Sequence, residues 1–332
     1  MTMKLFKITT ILLVTILMVS CQKKMNPEEI YNLEASGVVL IANEYYYSAK
    51  VNSLEIFFSG VDEDGEPTDL TTDEEEIKEN CYECTGTGFF ISSDGQIMTN
   101  RHVVNPVIDK NEVSKSIRKS FKELFKEEKE KLAKEWSLHE GDDYTQKEIY
   151  EEWDLYNKAY ESIDEMSVDD IEITTHADLY IVYNNSHVVK FEDLKPCVTV
   201  AVSEEENIDL AIIQLKDNET PEGVYIFSLY PEDEEKDLTL DQRLFMISFN
   251  AGTKIARTKQ GFRSQIYGGH VTQRSDGEQI LYSIASLQGS SGSPVVDQYG
   301  YLVAVNYAKV SGTQGFNYGI PSRLIRQFLK DN

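Results

Sequence analysis

Hydrophobic and polar positions follow two rhythms along this chain. From Gly86 the pattern is that of short strands: Gly86-Thr87-Gly88-Phe89-Phe90-Ile91, a turn at Ser93-Asp94-Gly95, and a return strand Gln96-Ile97-Met98-Thr99-Asn100. Between 107 and 170 the spacing turns helical. Val113, Ile117, Phe121, Leu124, Leu132 and Trp136 recur on a Lys/Glu-rich background, and after a polar break Ile149, Trp153, Tyr156 and Tyr160 continue the stripe. Asp109 with Glu112, and Thr145 with Glu148, are the capping-box pairs that predict the two helix starts. Strand rhythm then returns over 179–183, 188–191, 197–202, 207–215, 244–249, 265–271, 280–285 and 301–307, and an amphipathic helix closes the chain over 323–329. Upstream, 22–35 reads as a tether and a short helix opened by Asn26-Pro27-Glu28-Glu29, and 36–41 as a first strand. Residues 44–80 read as a long acidic surface loop with one strand at 54–58.

Short strands separated by turn signals predict a mostly β protein of antiparallel sandwiches or barrels, here with a helical hairpin inserted at 107–170. The apolar stripe of that hairpin is read first as packing, and second as a surface for a protein partner. At 332 residues there is material for a two-barrel domain. The formal charge of −25 argues against nucleic-acid binding driven by phosphate contacts.

The N-terminus carries a targeting pattern. Lys4 and Lys7 precede an apolar run over 8–19, too short to span a bilayer but the length of a signal-peptide core. Leu17-Met18-Val19-Ser20-Cys21 resembles the lipobox of bacterial lipoproteins, which implies a signal peptide over 1–20, lipidation at Cys21, a tether over 21–35 and a place in the bacterial cell envelope. Cys81 and Cys84 are spaced to close a small disulfide loop in an exported chain; one C-x-x-C without a second ligand pair is a poor metal site. Cys197 opens an apolar strand and is expected to be a buried, inert thiol.

Candidate chemistry centres on Gln288-Gly289-Ser290-Ser291-Gly292-Ser293-Pro294. A serine between small residues suits a nucleophile: a sharp turn exposes the hydroxyl and leaves backbone N–H groups free to face an oxyanion. Such a serine needs a base. Of the five histidines, His139, His176, His187 and His270 lie in polar breaks, linkers or turns or beside glycines, whereas His102 follows a strand end at Thr99-Asn100-Arg101 and precedes apolar residues. Asp209 stands apart from the other carboxylates because it directly precedes an apolar strand, where a buried carboxylate needs a partner such as an imidazole N–H.

The order His102, Asp209, Ser291 is that of chymotrypsin rather than of subtilisin or the α/β-hydrolases. Together with Gly86-Thr87-Gly88-Phe89, Ile208-Asp209-Leu210-Ala211 and the closing Gly315-Phe316-Asn317-Tyr318-Gly319-Ile320-Pro321, these motifs resemble those of trypsin-like serine peptidases, closest to the HtrA/Deg branch, over 36–332. The resemblance implies a chymotrypsin-like double β-barrel that hydrolyses peptide bonds in proteins or peptides without metal or organic cofactor. It also implies His102 as general base, Asp209 as its orienting acid, Ser291 as nucleophile, and the N–H groups of Gly289 and Ser291 as oxyanion hole. Arg101 departs from the small residue or tyrosine common at its position. Ser293 replaces a second glycine, as in glutamyl-endopeptidase-like relatives, but those carry a histidine where this chain has Asn306. Ala285, six residues before Ser291, together with Asn306 implies an uncharged pocket for a small or medium apolar residue. No PDZ domain is expected. The rival expectation is a catalytically inactive homologue that binds peptides or a protein partner.

Overall fold

The structure, a computed structural model, describes residues 23–62, 64–106, 108, 116–167, 171–188, 193–205, 207–235, 237–309 and 317–332. The proposed signal segment, Cys21, the Asp109–Glu112 cap and Gly315-Phe316 lie outside these.

The chain opens with helix α1 (Pro27–Glu34), whose start is the capping box expected from sequence: Asn26 accepts from the N–H of Glu28 and Glu29, and Glu29 returns the bond to Asn26 N–H. Strand β1 (Val38–Val51) follows, then β2 (Leu54–Phe58), a short hairpin of β3 (Gly60–Val61) and β4 (Pro67–Thr68), and helix α2 (Glu74–Glu79). Next come β5 (Tyr82–Phe90), β6 (Gln96–Thr99), the short helix α3 (Arg101–Val104), and helices α4 (Ser116–Leu138) and α5 (Asp143–Ser162). Strands β7 (Glu172–Tyr183), β8 (Lys195–Val202) and β9 (Ala211–Leu215) complete the first half.

The second half holds β10 (Arg243–Ser248), the short helix α6 (Thr253–Ala256), a hairpin of β11 (Arg257–Thr258) and β12 (Gly261–Phe262), then β13 (Gln265–Gln273) and β14 (Ile280–Tyr282). It ends in β15 (Pro294–Asp297), β16 (Leu302–Lys309), β17 (Asn317–Pro321) and helix α7 (Ser322–Asp331).

Two closed barrels result. In the first, β1, β5, β6, β9, β8 and β7 pair in turn and β7 returns to β1; β2 extends it as an outer strand. The second runs β10-β13-β14-β17-β16-β15 and closes through β15 on β10. This is the chymotrypsin-like double barrel that the resemblance implied, with the helical hairpin and the C-terminal helix in their expected places.

The burial pattern explains the continuous apolar strands. Alternate side chains of one strand enter different cores: Val39 and Ile41 fill the first barrel, while Val38 and Leu40 face the layer between barrels. On β10, Leu244 and Met246 fill the second barrel and Phe245 and Ile247 join the shared layer. Ile30 of α1 and Ile325 and Phe328 of α7 also enter that layer, so both terminal helices cement the barrels together.

Several local expectations are corrected. The stretch read as a loop from 44 begins as strand, since β1 continues to Val51 and pairs with β7 along Val39–Lys50. Its far end, with β2, forms the floor on which α4 and α5 pack: Tyr47, Ile56 and Phe58 meet Phe121, Phe125 and Tyr156 in one buried cluster. The α5 cap is Asp142, which accepts from Thr145 N–H and hydroxyl, instead of Thr145 itself. Strand β15 and the early part of β7 had no clear sequence signal. Cys81 and Cys84 are both free thiols, and Cys197 is buried, its thiol pushed up to about 12 chiefly by burial.

Candidate active site

His102 is delivered by a change of conformation at the end of β6. Asn100 is extended, at φ −84° and ψ 150°, and the next four residues form α3, which sets the imidazole above the barrel rim. Val103 and Val104 anchor that turn in the first barrel's core. Asp209 comes from the tight connection between β8 and β9, held by Ser203 N–H to Leu210 O at 3.0 Å. Because β6 and β9 are paired, Thr99 lies opposite Ala211 and the two connections meet.

There His102 Nδ1 faces Asp209 Oδ2 at 2.6 Å, and Asp209 Oδ1 accepts the His102 backbone N–H at 3.0 Å. Facing a carboxylate oxygen, Nδ1 carries the hydrogen, which leaves Nε2 as the ring's acceptor. Asn100 Nδ2 donates to Asp209 O at 2.7 Å and fixes the acid's backbone as well. Asp209 is mostly covered, its side chain 17% exposed, while that of His102 is 46% exposed to the cleft. The Arg101 guanidinium turns away, donating to the carbonyls of Ser203 and Glu205. Those hydrogen bonds make Arg101 a brace for the loop that carries Asp209.

Ser291 belongs to the turn before β15 of the second barrel, between Gly289 at φ +92° and Gly292 at φ +82°. Only glycine occupies that region without strain. Space requires it too: a Cβ on Gly289 would stand 2.6 Å from Gly252 N, and one on Gly292 would collide with Thr87 O and the Thr99 hydroxyl. Thr87 N–H donates to Ser291 O at 2.8 Å, and the site of a Gly292 Cβ is 3.1 Å from Asn100 N. The serine turn therefore rests directly on the strands that carry His102. The Ser291 hydroxyl makes no hydrogen bond to the imidazole among the described residues, the loose arrangement common in unliganded sites.

A cleft of about 690 Å³ opens beside the pair, lined by Arg101, His102, Asn105, Asn207 and Asp209 from the first barrel and Glu278, Gln279 and Tyr307 from the second. Tyr307, which sequence reasoning passed over, is held by its hydroxyl on Gln279 Oε1 at 3.0 Å. Burial, then the neighbouring Tyr318 and Asp209, push that phenol upward, so it remains a neutral wall of the cleft. Ala285 is exposed beside the serine turn. Asn306 is buried beneath it, its amide hydrogen-bonded within the protein. Thr87 was also missed as more than a strand residue, although its place inside Gly86-Thr87-Gly88 flagged a close backbone approach. Among the described residues no cluster of three or more potential ligands is placed to hold a metal ion.

A double barrel with a His–Asp pair on one barrel and a glycine-flanked serine on the other defines the class to which the sequence comparisons also point. Residues 168–305 match the family model described as a trypsin-like peptidase domain, a stretch that includes Asp209 and Ser291. That match covers the end of the first barrel and most of the second, and it agrees with the double-barrel fold. No curated protein matches it. Among solved structures it is similar to a serine endoprotease from Yersinia pestis, at 11% identity and a TM-score of 0.48, covering 93% of this chain and 67% of that one.

Proposed function

We propose that this chain is an envelope-tethered serine endopeptidase that cleaves peptide bonds through His102, Asp209 and Ser291. The observation that carries the reading is the His102 Nδ1–Asp209 Oδ2 contact at 2.6 Å, beside a serine turn whose Gly289 and Ser291 N–H groups have no acceptor among the described residues. With Nδ1 donating to the carboxylate, Nε2 takes the Ser291 proton as Oγ attacks the scissile carbonyl. The carbonyl oxygen becomes an oxyanion facing the two N–H groups. His102 then gives its proton to the leaving amine, and an acyl-serine forms. Water, deprotonated by His102, hydrolyses that ester and restores the enzyme. Asp209 stabilises the imidazolium in both halves.

The test is covalent labelling of protein lacking its first 21 residues by a fluorophosphonate probe, alongside Ser291→Ala and His102→Ala. Labelling at Ser291 that both substitutions abolish is the expected result. A folded wild type that neither labels nor hydrolyses any peptide would favour the rival reading, a peptide-binding homologue, for which the missing Ser291–His102 hydrogen bond speaks. The tether rests on Lys4, Lys7, the apolar run and Cys21. It predicts loss of membrane association in Cys21→Ser, and a variant that still fractionates with membranes refutes it.

A further inference from the structure

Each carbonyl of the serine turn is held by a donor outside the turn. Gln288 O accepts Ala251 N–H at 2.7 Å, Gly289 O accepts the Thr87 hydroxyl at 2.7 Å, and Ser290 O, which the turn's own Ser293 N–H reaches at 3.2 Å, accepts Asn306 Nδ2 at the shorter distance of 3.0 Å. In a planar trans peptide the N–H points opposite to the C=O, so a pinned carbonyl aims the N–H of the following residue. Pinning Gln288 O therefore aims Gly289 N–H, and pinning Ser290 O aims Ser291 N–H. These are the two N–H groups left without an acceptor among the described residues, whereas Ser290 N–H between them is spent on Leu287 O at 3.0 Å.

We propose that Asn306 is a positioning residue of the oxyanion hole, its side-chain amide fixing the Ser290–Ser291 peptide so that Ser291 N–H faces the reacting carbonyl. The inference rests on the peptidase reading above. Asn306 is 1% exposed, so its amide recognises protein rather than solvent. Its orientation is not ambiguous. A carbonyl can only accept, so the NH₂ end must face Ser290 O, and Oδ1 then receives the Tyr282 hydroxyl at 2.8 Å. The backbone of Asn306 holds the turn at two more points: its carbonyl accepts Gly292 N–H at 2.8 Å and its N–H donates to Ser293 O at 3.0 Å. One residue of β16 thus grips the turn from 290 to 293, and only the side-chain contact bears on the direction of a catalytic N–H.

The experiment uses Asn306→Leu and Asn306→Asp with a chromogenic peptide and a peptide boronate, which mimics the tetrahedral adduct. Leucine keeps the branched heavy-atom skeleton and removes the donor, and Tyr282 retains Tyr318 O as its acceptor at 3.2 Å. Loss of one oxyanion donor typically costs about 10²–10³ in rate, and a donor that is present but misaimed should cost about 30-fold or more in kcat. KM should change less than about threefold, because the contact acts on the transition state, and boronate affinity should fall in step with kcat. Aspartate can donate to Ser290 O only when protonated. Asn306→Asp should therefore lose rate as pH rises, opposite to the wild type, whose base must be neutral to act.

Asn306→Leu that melts as the wild type does and keeps kcat within threefold overturns the inference. If that variant does not fold, the aspartate profile decides, and a profile parallel to the wild type's also overturns it. A folded wild type that neither labels with fluorophosphonate nor hydrolyses any peptide refutes the peptidase reading itself, and this inference with it, so the two failures are told apart.

Discussion

In the first barrel the candidate base is held by side chains: His102 leans on Asp209 through its ring and its backbone N–H, and Asn100 braces the acid from behind. In the second barrel the serine's own side chain is bound to none of these, and the backbone around it is what the protein fixes, carbonyl by carbonyl. The first half stores its geometry in residue chemistry, so isosteric changes of functional groups should damage it most. The second stores it in backbone conformation and close approach, so the addition of a single methyl group should be enough.

The largest expected effects test the first half against the candidate serine. Ser291→Ala should reduce kcat by about 10⁴-fold or more, and Asp209→Asn by about 10⁴-fold. In the latter the amide still accepts the His102 backbone N–H, but its NH₂ meets Nδ1 and imposes the wrong tautomer. Steady-state rates with thermal melts check both, and an Asp209→Asn variant of wild-type activity would mean that another carboxylate orients the base.

Next is the second half. Gly292→Ala puts a Cβ into Thr87 O and the Thr99 hydroxyl at φ +82°, and should lower labelling at Ser291 by about 10²-fold while destabilising the protein by about 1–3 kcal/mol. Denaturant midpoints and labelling rates read the two losses separately. A smaller effect is expected at Thr87, whose buried hydroxyl gives to Gly289 O and accepts Phe249 N–H at 3.0 Å. Thr87→Val strands both groups and should cost about 1–3 kcal/mol and about tenfold in kcat, with Thr87→Ser restoring most of each. Equal rates for the valine and serine forms would show that the hydroxyl holds nothing that matters.

Phe121→Ala sharpens the contrast from outside. Its ring is fully buried between α4 and the β1–β2 floor, away from the cleft. Truncation should cost about 3–5 kcal/mol of stability, yet leave kcat within about threefold at temperatures where the protein stays folded. A larger rate loss would tie the hairpin to the site.

The smallest effect is confined to pH. Glu34 is fully buried, neither carboxylate oxygen has a hydrogen-bond partner among the described residues, and burial followed by Asp297 raises it to about 8. The folded state therefore keeps a proton that the unfolded chain releases near the usual carboxylate range. Stability is highest below that range and declines as pH rises toward about 8. Glu34→Gln should flatten the fall in melting temperature between pH 5 and 9; an unchanged slope would place the titration elsewhere.

The sequence by itself determined what chemistry and alternation can encode. Period-two apolar runs revealed most strands of both barrels, helical spacing revealed α4 and α5, and Asn26 with Glu29 marked the start of α1. The candidate residues His102, Asp209 and Ser291 were legible because each breaks its local pattern: a histidine at a strand end, an acid before an apolar strand, a serine among small residues. Tertiary structure decided the rest. The continuation of β1 to Val51 depends on a partner more than a hundred residues away, since pairing with β7 satisfies backbone groups that the polar local sequence gave no reason to bury. The roles of Thr87, Asn100 and Asn306 were hidden for the same reason. Each acts by donating to a carbonyl of another segment, and neither residue type nor spacing records which carbonyl folding will bring within reach.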